Sequence, residues 1–188
     1  QGRNNFDVIT FASVSNDLLE YEKFKKGEID IIPVRKATDW AEKYEFENVK
    51  RGLILKRRVF NQSPKTVSGI CINIHKEPFY DINVRKAFIH AFNRKLFNEK
   101  LFFDSYILMN SYFSGTVYEN PNNSHPGFNL DSSAMLLSRA GWTQKNSDGY
   151  LTKNGKIFEV ELPYQSGMDR YLTIYQEDLK KVGVKVNL

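Results

Sequence analysis

The residues of this chain that could do chemistry are scattered rather than gathered. Carboxylates pair at Glu20/Glu22, Glu45/Glu47 and Glu159/Glu161. Paired acids act as general acid and base when their surroundings drive their pKa values apart. Glu159 and Glu161, however, alternate with Phe158, Val160 and Leu162, so they read as the wet face of an amphipathic strand. Ser68-Gly69 and Ser114-Gly115 are isolated dipeptides with no base placed beside them, and no nucleophile elbow, phosphate loop or dinucleotide-binding glycine turn occurs. The single cysteine, Cys71, excludes an internal disulfide and a Cys-based zinc site. Between Ile70 and Ile72 it reads as a small buried hydrophobe. His75, His90 and His125 form no HxxxH pair and read as structural or surface residues. The expectation is a protein that binds, without covalent chemistry, metal or cofactor.

The elements that would position a binding site can be read from periodicity. Phe6 to Ser13 alternates and reads as a strand, Asp17 as the cap of a helix carrying Leu18, Tyr21 and Phe24, and Gly27 as its stop. Ile29 to Val34 reads as a second strand, making a strand–helix–strand unit and implying a parallel or mixed sheet. Thr38-Asp39-Trp40 opens a short helix to Tyr44. Leu53 to Phe60 and Val67 to Ile74 read as strands, with Pro64 in the loop between them. The clearest helical stripe is Val84, Ala87, Phe88, Ala91 and Phe92, capped by Asp81, and Asn93 would cap the next helix. Residues 103–130 read as a long packed loop anchored by Phe103, Tyr106, Tyr112 and Phe113. Asp131 to Ala140 reads as a helix closed by Gly141. Asn154-Gly155 signals a type I′ hairpin joining Tyr150–Lys153 to Lys156–Leu162. A final helix presents Leu172, Tyr175, Leu179 and Val182, stops at Gly183, and leads into a strand from Val184 that needs a neighbour.

Composition narrows the class further. A chain of 188 residues that is 41% hydrophobic and 14% aromatic is folded globular material, not a disordered segment. The net charge of +5 comes from 27 basic residues against 22 acidic ones. Acids interrupt the bases almost everywhere, so Lys23, Lys25 and Lys26 read as a solvated helix face and Lys56, Arg57 and Arg58 as a strand end, not a nucleic-acid patch. No apolar run reaches the roughly 18–20 residues a membrane span needs. The chain opens on Gln1-Gly2-Arg3-Asn4-Asn5 without a signal peptide, as the middle of a longer protein would.

Three blocks, in order, carry a resemblance. They are Phe24-Lys25-Lys26-Gly27-Glu28-Ile29-Asp30; then Cys71-Ile72-Asn73 through Glu77-Pro78-Phe79-Tyr80-Asp81 and Val84-Arg85-Lys86-Ala87-Phe88, closing on Phe92-Asn93-Arg94; then Ala140-Gly141-Trp142 with Leu179-Lys180-Lys181-Val182-Gly183-Val184. The chain resembles the bacterial extracellular solute-binding proteins of family 5, receptors that hand oligopeptides, dipeptides, nickel chelates and some sugars to ABC importers. Lys100 to Tyr106, Asn110-Ser111-Tyr112-Phe113-Ser114 and Thr38 to Tyr44 are similar to the Yej-type subgroup, linked to import of oligopeptides and microcin C-like antibiotics. Asn93 stands where the family has an aspartate, a change a helix cap tolerates.

The resemblance implies an α/β fold of the periplasmic-binding-protein-like type II kind: two lobes, mixed sheets and flanking helices, of which this chain is a central portion. Residues 1–68 would be the end of lobe one and 69–188 the start of lobe two. It implies a monomeric periplasmic receptor whose partners are a peptide or peptide-like ligand and an ABC transporter permease. Such a receptor touches the membrane only through the transporter or a lipid anchor and binds no nucleic acid. Extended peptides are held by main-chain hydrogen bonds to strand edges, with wet side-chain pockets. The candidate ligand residues are Asn73, Cys71 and Ile72 on the strand Gly69–Asn73, which would cross from lobe one toward lobe two, and Tyr112 and Phe113 on the long loop. Asn73 offers both donor and acceptor to a peptide amide, or else staples a strand end. Arg85 reads as a helix-surface salt bridge, and Trp40 and Trp142 as packing residues. A ligand-sensing domain of a transcriptional regulator would carry the same fold, and another small solute, such as a nickel chelate or sugar, would suit the same cleft.

Overall fold

The computed structural model describes residues 5–60 and 67–188, forming two compact units that divide between Leu55 and Lys56. Pro64 and its loop lie outside the described residues.

The first unit is a small knot of helices. Helix α1 (Asp17–Lys25) is capped by Asn16, whose Oδ1 accepts from the backbone N–H of Leu18 and Leu19 at 2.9 and 3.0 Å. The expected cap, Asp17, is the first helical residue instead and pairs with Lys36 at 2.7 Å. A π-helical turn (Asp39–Lys43) and the short α2 (Glu47–Lys50) follow. Tyr44 holds the knot together: its ring meets Tyr21 at 5.4 Å and Phe24 at 6.1 Å, both edge-on, and the Tyr21 hydroxyl donates to Lys43 O at 2.8 Å. Edge-to-face rings of this kind contribute beyond the area they bury. Leu18, expected on the same stripe, faces solvent.

Four expected strands do not form. Phe6–Ser13, Ile29–Val34, Leu53–Phe60 and Val67–Ile74 enter no ladder. Their alternation is real, but a strand is stable only against a neighbour, and no other run among the described residues pairs with them. Val8, Phe11, Leu55 and Phe60 are consequently exposed.

The second unit contains the main core. Helix α3 (Ile82–His90) begins at Asp81, which accepts from Asn83 N at 2.7 Å; α4 (Arg94–Leu101) begins at Asn93, which accepts from Leu96 N at 3.0 Å. Helix α5 (Leu130–Arg139) lies against α3, where the small, fully buried Ala87 and Ser133 allow close approach. Ser133 Oγ donates to Ala87 O at 2.9 Å, satisfying its buried hydroxyl. A three-stranded antiparallel sheet joins β1 (Gln144–Lys145), β2 (Leu151–Lys153) and β3 (Lys156–Ile157). Asn154 and Gly155 both take positive φ, 51° and 75°, as a type I′ turn requires. Strand β4 (Glu159–Glu161), helix α6 (Asp169–Lys181) and β5 (Lys185–Asn187) then form a parallel strand–helix–strand unit. One sheet is antiparallel and the other is a parallel pair, and that pair lies at this end of the chain, not at Phe6–Val34 where the sequence implied a parallel or mixed sheet.

The run expected as one strand, Lys156–Leu162, is divided at Phe158. Phe158 N donates to Leu151 O at 2.7 Å and Phe158 O accepts from Lys185 N at 2.9 Å, so one residue links both sheets. Its fully buried ring sits 4.3 Å from Trp142 and 6.0 Å from Phe88. Tyr175 on α6 is buried too; its hydroxyl donates to Phe88 O at 2.9 Å, and burial pushes its pKa far above the ordinary tyrosine value.

Glu159 and Glu161 form the expected wet strand face. Asn187 Nδ2 donates to both at 2.8 Å, and Lys185, directly opposite Glu159, pairs with it at 2.8 Å. The bonds from Lys185 and Asn187 hold the Glu159 carboxyl below its usual range, and the same pairing raises Lys185. A depressed carboxylate stabilises above its unfolded pKa and loses that contribution as pH falls through the folded value; the raised Lys185 contributes until pH rises through its own folded value. The β4–β5 pair is therefore expected to be tightest between the carboxylate and ammonium ranges and to loosen in acid. Amide exchange at Leu162, whose N–H donates to Asn187 O at 2.8 Å, measures this. Exchange protection that is independent of pH after correction for intrinsic rates, or unchanged in Glu159→Gln, would contradict it.

Candidate ligand-binding site

The segment Val67–Asn73 leads into the core at Phe79, whose ring meets Phe88 on α3 edge-on at 5.1 Å. Between them the chain turns twice: Lys76 N donates to Asn73 O at 3.3 Å and Phe79 N to Lys76 O at 2.8 Å. Arg85 secures the second turn by donating to Phe79 O at 2.7 Å and Tyr80 O at 2.9 Å. It makes no surface salt bridge with a described residue; its Nη1 donates to both backbone carbonyls instead.

Asn73 closes the first turn. Its Oδ1 accepts from His75 N at 3.0 Å, while its side-chain amide donates to no described residue. The carbonyl half of the side chain is thus structural, and the donor half is exposed. Upstream, the backbone N–H and C=O groups of residues 67–72 form no hydrogen bond with described residues, which leaves an open row of donors and acceptors. The Cys71 thiol is exposed, not buried as expected, because the run that carries it joins no sheet among the described residues. The Ile72 side chain packs against the core cluster, which leaves its backbone groups as what it can offer a ligand.

The long loop between α4 and α5 is fastened by residues that sequence reading did not assign. Arg94 donates to Met109 O at 2.7 Å and Asn110 Oδ1 at 3.2 Å, Asn123 donates to Asn110 O at 3.0 Å, and His90 Nδ1 lies 2.9 Å from Gly127 O. Glu119 clamps the loop's tip by accepting from Ser114 Oγ at 3.0 Å and Gly115 N at 2.7 Å. The position of Arg94 at the end of the second matching block was the signal for its role. Tyr112 and Phe113 are not the core anchors expected of them. They are 73% and 52% exposed, and they form a surface ring cluster in which Phe113 meets Tyr112 at 5.3 Å and Tyr118 at 6.2 Å. No hydrogen bond or ring contact among the described residues joins this cluster to residues 71–73. Phe102, not Tyr112, anchors the start of the loop, stacking on Tyr171 at 5.2 Å and meeting Tyr106 at 4.7 Å. Trp142 packs as expected, and Trp40 is half-buried in the π-helical turn.

An antiparallel sheet, a parallel strand pair and flanking helices make this an α/β fold, and the structures it matches place it in the periplasmic-binding-protein-like class. NikA from Brucella suis in complex with Fe(III)-EDTA matches with a TM-score of 0.73 at 24% identity, over 93% of this chain and 35% of that one. AppA from Bacillus subtilis in complex with a nonapeptide matches with a TM-score of 0.64 at 23% identity, over 90% and 33%. At these identities the likeness is one of fold. The chain belongs to the bacterial extracellular solute-binding proteins, family 5, whose middle-region model matches residues 1–188. It is 26% identical to the uncharacterized protein YejA of Escherichia coli, across all of this chain and 37% of that protein. It is 26% identical to the oligopeptide-binding protein AppA of Bacillus subtilis, across 99% and 34%. The chain thus spans about a third of the length of the curated relatives it matches. The family is made of solute-binding proteins, not enzymes. Among the described residues no helix is long and apolar enough to cross a membrane.

Proposed function

We propose that this chain is part of the substrate-binding component of an ABC importer that captures oligopeptides or peptide-like antibiotics outside the cytoplasm and delivers them to a membrane permease. The observation that carries the reading is the open backbone run at 67–72, ending on the exposed amide of Asn73. A peptide binds such an edge as an added strand, through main-chain bonds that are indifferent to its sequence. Cys71 and Ile72 contribute backbone groups, Asn73 donates to a ligand carbonyl, and Tyr112 and Phe113 cover an apolar ligand side chain. Residues 1–68 belong to the end of one lobe and 69–188 to the start of the other. The receptor works as a periplasmic monomer and needs no cofactor.

The test is the thermal midpoint of the full-length protein with and without a mixed peptide library. A ligand that binds only the folded state raises the midpoint, by the equivalent of about 2.7 kcal/mol at a hundredfold excess over Kd. Asn73→Asp keeps the acceptor that closes the turn and removes the donor. It is expected to leave the ligand-free midpoint unchanged and weaken peptide binding about tenfold, the scale of one hydrogen bond. No shift with any peptide pool, alongside a shift with metal chelates, sugars or DNA, would overturn the peptide assignment.

A further inference from the structure

We propose that the second unit carries a separate site for a single zwitterionic amino acid with an apolar side chain, in the cleft beneath the Asn154-Gly155 hairpin. The cleft has a volume of about 230 Å³ and lies wholly within this unit. It uses none of residues 71–73, 112 or 113. Drug-sized pockets run to roughly 300–1,000 Å³, so the space suits one amino acid and not an extended peptide.

Its apolar wall is the half-buried Trp142 indole, packed on Phe158 at 4.3 Å, with Pro78 beside it. Two lysines also line it. Lys153 and Lys156 stand directly opposite each other across β2 and β3. Like charges so placed repel and destabilise the ladder unless something compensates. Lys153 is compensated: its ammonium donates to Ala140 O, at the C-terminal end of α5, at 2.7 Å. Lys156 has no hydrogen-bond or ion-pair partner among the described residues. Of the two acids in the cleft, Glu159 is taken by Lys185 and Asn187, both at 2.8 Å, while Glu77 has no partner among the described residues. A cation and an anion, each without a partner among the described residues, thus line the same small aromatic cleft. An α-amino acid presents a carboxylate to Lys156, an ammonium to Glu77 and its side chain to Trp142.

Protein labelled with 15N at tryptophan tests this, with the Trp142 indole resonance assigned by its loss in Trp142→Phe. Titration with L-leucine is expected to shift that resonance saturably. Leucinamide, lacking the carboxylate, and N-acetyl-leucine, lacking the ammonium, are each expected to bind about tenfold more weakly, one charge-assisted contact having been lost. Lys156→Met is expected to weaken leucine to the level of leucinamide, and Glu77→Gln to the level of N-acetyl-leucine. Both side chains are exposed, so neither variant disturbs the fold. No saturable shift with leucine, or identical shifts for all three compounds that Lys156→Met leaves unaltered, would overturn the proposal.

Discussion

Phe158→Ala is expected to lower the unfolding free energy by about 3–5 kcal/mol, the range for truncating a fully buried aromatic side chain. That is a large share of the roughly 5–15 kcal/mol that holds a native domain together. The size follows from what Phe158 touches. Its ring is 0% exposed and lies against Trp142 and Phe88, so removing it strips contacts from the hairpin side and from α3 at once. Its backbone links the antiparallel sheet at Leu151 to the parallel pair at Lys185. Those backbone bonds survive the substitution, so the loss reports on packing alone. Urea denaturation followed by near-ultraviolet circular dichroism measures it, and an unchanged dependence on urea would show that only stability has moved. A loss below about 1 kcal/mol would mean that the two sheets do not share this core.

Gly183→Ala is expected to cost about 2–3 kcal/mol, of which only about 1 kcal/mol is backbone strain. Gly183 adopts φ of +87°, which an L side chain resists, and an added Cβ would stand 2.8 Å from Leu151 Cγ and 3.3 Å from Leu151 N. That space is closed because Leu151 N donates to Gly183 O at 2.7 Å, tying β2 to the turn between α6 and β5. Gly149 separates the two contributions. It has nearly the same φ, +84°, with nothing within 4 Å of an added Cβ. Gly149→Ala should therefore show the backbone cost of about 1 kcal/mol without the clash. Equal losses in the two variants, compared by urea denaturation, would show that the Leu151 contact is not what makes Gly183 necessary.

The peptide reading and the amino-acid cleft stand on different residues and can fail separately. The first depends on the open backbone at 67–72 and the Asn73 donor. The second depends on Lys156, Glu77 and Trp142. Asn73 shows how far sequence reasoning reached. Two roles suited it, ligand contact and turn staple; the structure shows the staple, the oxygen being committed to His75, while the amide has no partner among the described residues and the ligand role stays a proposal.

What the sequence by itself determined is whatever closes over a few residues. Asp81 and Asn93 cap helices because a cap bonds to an N–H two or three positions on. Asn154-Gly155 makes its turn because both residues accept positive φ. The stripe at Val84, Ala87, Phe88 and Ala91 is buried because helical periodicity sets one face by itself. The matching blocks identified the family for the same reason: they are local strings. Tertiary structure decided everything that needs a distant partner. Alternation at Phe6–Ser13 and Val67–Ile74 looks like strand, yet a ladder requires a second strand, and among the described residues none pairs there. The run around Phe158 looks like one strand and serves two sheets, because its N–H is met by Leu151 and its C=O by Lys185, residues distant in sequence. Tyr112 and Phe113 look like anchors and lie exposed, because Arg94, Asn123 and Glu119 fasten the loop by polar bonds instead. Side-chain type sets what a residue can bond to; only the fold decides which partner comes within reach.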